Sequence, residues 1–147
     1  MNEVYKTNSV EETIICAEKF GQKLSTGDVV ALYGQLGSGK TQFVKGICKA
    51  FNIDNSVTSP SFVIINRYSG LDKDGKSTLI FHIDLYRVKS QDELYNIGIE
   101  EFIGGNSICL IEWAEMLDKL LPNKRYDVRI EFGEEENQRQ IIITRIG

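Results

Sequence analysis

At 147 residues the chain is too short for two large hydrophobic cores, which separate only beyond about 250 residues, so residues 1–147 are expected to form one domain. Its 17 basic and 21 acidic side chains give a formal charge of -4. That balance argues against tight, unaided binding to nucleic acid, because neutralising phosphates takes a basic face. The three cysteines, Cys16, Cys48 and Cys109, form no Cys-x-x-Cys pair and have apolar neighbours. They read as small buried hydrophobes and not as zinc or redox ligands. No signal-peptide core and no run approaching the roughly 20 apolar residues of a membrane span occur, so a reducing, cytoplasmic setting without a membrane is expected.

In chain order, Ser9-Val10-Glu11-Glu12 has the serine and glutamate spacing of a capping box. The helix it opens would carry Cys16, Ala17, Phe20 and Leu24 on one apolar stripe. After Gly27-Asp28, the continuous apolar run Val29 to Tyr33 suits a central strand covered on both faces. A glycine loop follows, then a second helix with Val44, Ile47, Cys48 and Phe51 at helical spacing. Beyond Ser59-Pro60, the segments Phe62 to Tyr68 and Thr78 to Tyr86 flank the polar tip SGLDKDGKS and predict a hairpin. A short helix is expected around Asp92 to Asn96, and a buried strand over Ser107 to Ile111 ends at Glu112-Trp113. Asp127 to Phe132 and Gln140 to Thr144 form a last hairpin across GEEENQR. The pattern predicts one α/β domain with a mixed, mostly parallel central sheet flanked by helices and extended by hairpins.

The segment GQLGSGKT, residues 34–41, matches G-x-x-x-x-G-K-[ST] and lies between a predicted strand and a predicted helix, the setting this motif requires. Gly34, Gly37 and Gly39 allow backbone conformations that turn successive amides toward phosphates. The helix beginning near Lys40 adds the positive end of its dipole. Lys40 would reach β- and γ-phosphates, and the Thr41 hydroxyl would meet magnesium. Magnesium takes one or two carboxylates and keeps several waters. Two predicted strands end in a carboxylate, TLIFHID at Asp84 and SICLIE at Glu112, and spacing alone does not say which is nearer the metal. Strand alternation places His82, Asp84 and Tyr86 on one face as a polar ridge. Arg87 would support phosphates or a partner, and Trp113 would stack on a base or a partner. Ser59-Pro60-Ser61-Phe62 occupies the position of a loop that senses the γ-phosphate. The guanine-reading N-K-x-D pattern is missing: in Asn123-Lys124-Arg125-Tyr126-Asp127 the aspartate comes one place late. No arginine-bearing lid of a small-molecule kinase is evident.

In this order and at these intervals, GQLGSGKT, SPSF, HIDLYR and IEW closely resemble the TsaE (YjeE) family of small P-loop ATPases, over nearly the whole chain. The resemblance implies a P-loop NTPase-like fold and ATP phosphates on Leu36, Gly37, Ser38, Gly39, Lys40 and Thr41. It further implies Mg2+ on Thr41 and Glu112, with Lys40, Asp84 and Glu112 as the catalytic set and Asp84 in a switch-like segment. Ser59 and Ser61 would form the other switch, Trp113 a functional aromatic and Arg139 a nucleotide contact, while the segment around Glu11 to Thr13 would approach the adenine. His82, Tyr86 and Arg87 would belong to the switch or face a partner. Gln35 stands where the family usually has aspartate, and Ser61 where it usually has threonine. The resemblance also implies slow ATP hydrolysis in support of a TsaB–TsaD complex that forms threonylcarbamoyladenosine in tRNA, with tRNA met only through that complex. The alternatives are a nucleotide-gated binding module without significant hydrolysis and a small-molecule P-loop kinase.

Overall fold

The computed structural model describes residues 2–53 and 65–147. Seven strands, β1 (Asn2–Thr7), β2 (Val29–Tyr33), β3 (Ile65–Leu71), β4 (Ser77–Asp84), β5 (Ile108–Glu112), β6 (Arg125–Phe132) and β7 (Arg139–Ile146), form one sheet. Their order is β1-β7-β6-β2-β5-β4-β3. The middle of the sheet is parallel, through the pairs β6–β2, β2–β5 and β5–β4. The pairs β1–β7, β7–β6 and β4–β3 are antiparallel. Every residue of β5 is buried, and in β2 only the last is partly exposed. These are the two strands that the sequence writes as unbroken apolar runs, because helical layers cover both sheet faces.

On one face Val30, Leu32, Ile80, Ile108, Leu110 and Val128 pack beneath two helices, α1 (Val10–Gly21) and α2 (Lys40–Ala50). On the other, Val29, Ala31, Ile83, Cys109 and Ile111 pack against Leu94 of the short helix α3 (Gln91–Ile97) and against 3-10 turns that bring in Ile99, Ala114 and Leu117. The capping box forms: Ser9 Oγ accepts from the Glu12 amide at 3.1 Å. The return bond lands one residue early, with Glu12 Oε1 accepting from the Asn8 amide at 2.9 Å. Ala17, Phe20 and Leu24 are buried as the stripe requires. Cys48 and Cys109 are buried, and burial pushes both thiols up to about 12. Cys16 is half-buried at the margin of the stripe, so the expectation of three buried cysteines is corrected to two.

Helices α1 and α2 approach closely because Gly46 has no side chain. A Cβ there would lie 2.5 Å from Ala17 Cβ and still nearer the Ile14 carbonyl. Gly46→Ala is therefore expected to destabilise the protein by about 1–3 kcal/mol, the usual cost of forcing atoms into a packed interior. A denaturant midpoint unchanged from wild type would show that the two helices separate freely.

Several elements differ from the sequence reading. Strand β1 was not expected: five of its six residues are exposed, so it has no apolar alternation to read. Its partner is β7, at the other end of the chain, with Asn2 opposite Thr144. The 77–84 strand stops at Asp84 and does not reach Tyr86, because Asp84 Oδ1 accepts from the Tyr86 amide at 3.0 Å and turns the chain. The hairpin tip shrinks to residues 72–76, where Asp72 Oδ1 accepts from the amides of Asp74 and Lys76. The start of the expected strand at Phe62 lies outside the described residues.

Candidate functional site

The loop from Gly34 to Gly39 joins β2 to α2 at the carboxyl edge of the parallel strands, the edge where open α/β sheets bind ligands. Gly34, Gly37 and Gly39 all take positive φ, at 154°, 80° and 115°. At Gly34 the requirement is also steric, since a Cβ would sit 2.5 Å from Ser38 Oγ and 2.6 Å from the Ile130 carbonyl. Helix α2 starts at Lys40 with no acidic residue in its first turn, so no side chain there offsets its positive dipole end. Ser38 Oγ is buried and has no hydrogen-bond partner among the described residues, whereas Leu36 is 67% exposed at the loop's outer curve.

Lys40 folds its ammonium back over the loop, donating to the carbonyls of Gly34 at 2.5 Å and Gln35 at 3.1 Å. It also lies 4.1 Å from the centroid of the Trp113 ring. Burial lowers the Lys40 pKa, and the nearby carboxylates of Glu112, Glu115 and Asp84 pull it back up. Trp113 adopts left-handed backbone, φ 58°, a conformation that costs a bulky residue of order 1–3 kcal/mol. This turn directly after Glu112 sets the indole against both Lys40 and the Tyr86 ring, the latter 5.2 Å away. Tyr86 is itself 54% exposed, and Arg87 is exposed beside it.

Arg139, at the start of β7, braces the loop from the other side. Its Nε donates to the Ser38 carbonyl at 2.8 Å, and one terminal nitrogen is 3.5 Å from the Gly37 carbonyl. A trans peptide points its carbonyl and the following amide in opposite directions. Holding the Ser38 carbonyl therefore aims the Gly39 N–H away from the arginine.

Behind the loop three polar side chains converge. Thr41 Oγ1 lies 3.1 Å from Oε1 and 3.0 Å from Oε2 of Glu112, and His82 Nε2 lies 2.6 Å from the same Oε2. Strand register produces the meeting: β4 and β5 run parallel, pairing His82 with Leu110 and Asp84 with Glu112. His82 does not stand on an exposed ridge with Tyr86. It is 0% exposed beneath the site, so of its two expected places, in the switch or facing a partner, the second does not fit its burial. Asp84 lies next to Glu112 at the strand ends and is half-buried. Burial raises its pKa first, with a further rise from Glu112, against lowering by the Tyr86 amide, His82 and Lys40.

A raised carboxyl pKa means the folded protein holds this proton more tightly than the unfolded chain, so the group's contribution to stability falls as pH rises through the ordinary carboxylate range. Asp84→Asn removes that penalty and keeps an oxygen for the Tyr86 amide. The variant is expected to equal wild type in stability at acid pH and to exceed it above the raised pKa. Thermal melts across pH 4 to 8 test this, and a gap that closes as pH rises would contradict it.

The described residues thus bring together Lys40, Thr41, Asp84, Glu112, Trp113, Arg139 and the Leu36 to Thr41 loop, with His82 underneath and Tyr86 and Arg87 at the rim. Ser59 and Ser61 lie outside them. Sequence reasoning did not foresee His82 bonding to Glu112, nor the Lys40–Trp113 contact. The strand alternation did place His82 on the same face as Asp84. A donor set of one hydroxyl and one carboxylate at the start of a helix fits a magnesium ion that keeps most of its waters.

A glycine loop between strand and helix, at the carboxyl edge of parallel strands with a hydroxyl–carboxylate pair behind it, defines a P-loop NTPase-like α/β protein. The family model described as "Threonylcarbamoyl adenosine biosynthesis protein TsaE" matches residues 7–141, and the chain belongs to the TsaE family. It is 36% identical over 143 residues to a Bacillus subtilis protein named "tRNA threonylcarbamoyladenosine biosynthesis protein TsaE", covering 97% of this chain and 85% of that one. A Rickettsia conorii protein of the same name is 39% identical over 142 residues, covering 96% and 78%. The crystal structure of Bacillus subtilis YdiB superposes with a TM-score of 0.81 at 31% identity, covering 100% of this chain and 87% of that one. Among the described residues, no helix is long and apolar enough to cross a membrane.

Proposed function

We propose that the protein works in the cytoplasm, binds ATP with Mg2+ and hydrolyses it slowly, in support of a TsaB–TsaD complex that forms threonylcarbamoyladenosine in tRNA. The observation that carries this reading is the meeting of Thr41 with Glu112 directly behind the glycine loop, at 3.0 and 3.1 Å. In this reading the loop amides from Leu36 to Thr41 and the Lys40 ammonium hold the phosphates, while Thr41 and Glu112 hold the metal. Bound there, Mg2+ supplies charge neutralisation on the phosphoryl oxygens. Asp84, beside Glu112 at the strand ends, orients the attacking water. Phosphoryl transfer needs mainly positioning and charge stabilisation. Lys40 is the cation inside this site, and Arg139 is engaged with loop carbonyls. With Lys40 as its inner cation, the site hydrolyses ATP slowly by itself, and the partner complex raises its turnover.

Phosphate release from Mg2+-ATP is the deciding measurement, made on the protein alone and again with TsaB, TsaD and tRNA. The expected outcome is slow release alone and strong stimulation with partners. Fast release by the isolated protein, unchanged by partners, would remove the accessory role. ATP binding without release under either condition would leave a nucleotide-gated binding module instead.

A further inference from the structure

Glu112 is 3% exposed, and the buried carboxylate has two oxygens that need donors. Thr41 stands within hydrogen-bonding distance of both oxygens but has one proton to give. The other polar atom within reach is His82 Nε2, 2.6 Å from Oε2. His82 is fully buried, it stacks beside the Tyr68 ring at 6.4 Å, and its Nδ1 has no partner among the described residues. An imidazole serving only to fill space would present no polar atom so close to a carboxylate. Among the described residues, the one polar bond of this ring is directed at one oxygen of Glu112.

From this geometry we propose that His82 is the positioning residue of the metal carboxylate. It carries its proton on Nε2, anchors Glu112 Oε2 from beneath, and so leaves Oε1 presented with the Thr41 hydroxyl toward the ion. The logic mirrors sites in which a buried partner fixes the rotamer of a metal ligand, where loss of the partner costs about 10- to 100-fold in metal affinity. The inference rests on the proposed role of Glu112. It adds that metal binding is set by a residue 30 positions away in sequence that touches neither nucleotide nor ion.

His82 is the only histidine in the chain, so its ring nitrogens can be read without assignment in protein labelled with 15N-histidine. The expected spectrum has a proton on Nε2, and the Nε2 signal moves in Glu112→Gln. A ring with Nε2 unprotonated, or an Nε2 signal indifferent to Glu112→Gln, overturns the proposal. The second measurement is ADP binding by calorimetry, with Mg2+ and with EDTA, for wild type, Glu112→Gln, His82→Leu and His82→Gln. His82→Leu is expected to lose about 10- to 100-fold in the Mg2+-dependent part of the affinity, with ADP binding in EDTA within about twofold of wild type. His82→Gln, which keeps an N–H near the Nε2 position, should regain most of the loss. If Glu112→Gln abolishes the Mg2+ dependence and a folded His82→Leu keeps it, His82 is packing only and the site reading stands. If Glu112→Gln itself leaves the Mg2+ dependence intact, the metal assignment fails, and the positioning role fails with it.

Discussion

Replacing Lys40 with alanine is expected to weaken ATP binding at least tenfold while costing the folded protein little. Charge-assisted hydrogen bonds contribute about 1.5–3 kcal/mol each, and about 1.4 kcal/mol is a factor of ten in affinity. The folded protein gains much less from this ammonium. Burial disfavours its charge, and the carbonyls it meets belong to Gly34 and Gln35, which are partly open to water. Removing the side chain lifts that burial penalty, so affinity and stability should separate. Trp113 is the only tryptophan and lies 4.1 Å from the ammonium, so its fluorescence reports both the free site and its titration with ATP. Near-wild-type affinity in Lys40→Ala would remove the loop's assignment as the phosphate site.

Glu112→Ala is expected to do more damage, because it acts on binding and folding together. It strands the fully buried His82 Nε2 without its Glu112 partner and takes the carboxylate from the Thr41 hydroxyl, and an unsatisfied buried polar group costs about 1–3 kcal/mol. Relief of the carboxylate's own burial and of its repulsion with Asp84 offsets part of this. For a chain of this size each kcal/mol lowers Tm by roughly 2–4 °C, so a drop of several degrees is expected together with loss of Mg2+-dependent nucleotide binding. Asp84→Ala breaks only the bond to the Tyr86 amide and relieves a buried charge, so its Mg2+ dependence should change less. A larger loss in Asp84→Ala than in Glu112→Ala would move the metal ligand to Asp84.

The site was legible in the sequence where its parts are contiguous. Strand, glycine loop and helix occupy residues 29–50, and each is dictated locally: an apolar run, positive-φ glycines, and apolar residues at helical spacing. Asp84 and Glu112 were both visible as carboxylates ending apolar strands, but spacing could not rank them. Their neighbours at the site come from other elements, with Thr41 standing 71 residues from Glu112.

That division has one physical cause. The sequence by itself determined the phosphate loop, the two helices beside it and the buried strands, since hydrophobic period and glycine placement act within a few residues. The family resemblance singled out Glu112 where spacing could not, and the tertiary structure brings it to Thr41 with His82 beneath it and not on a ridge. Only the tertiary structure decided that Arg139 grips the loop from the opposite side of the sheet order, and that a polar N-terminal strand closes the edge against residues 139–144. Those outcomes depend on strand register and on backbone hydrogen bonds between distant segments. The side chains of an exposed edge strand or a single histidine carry no periodic signal of such pairings.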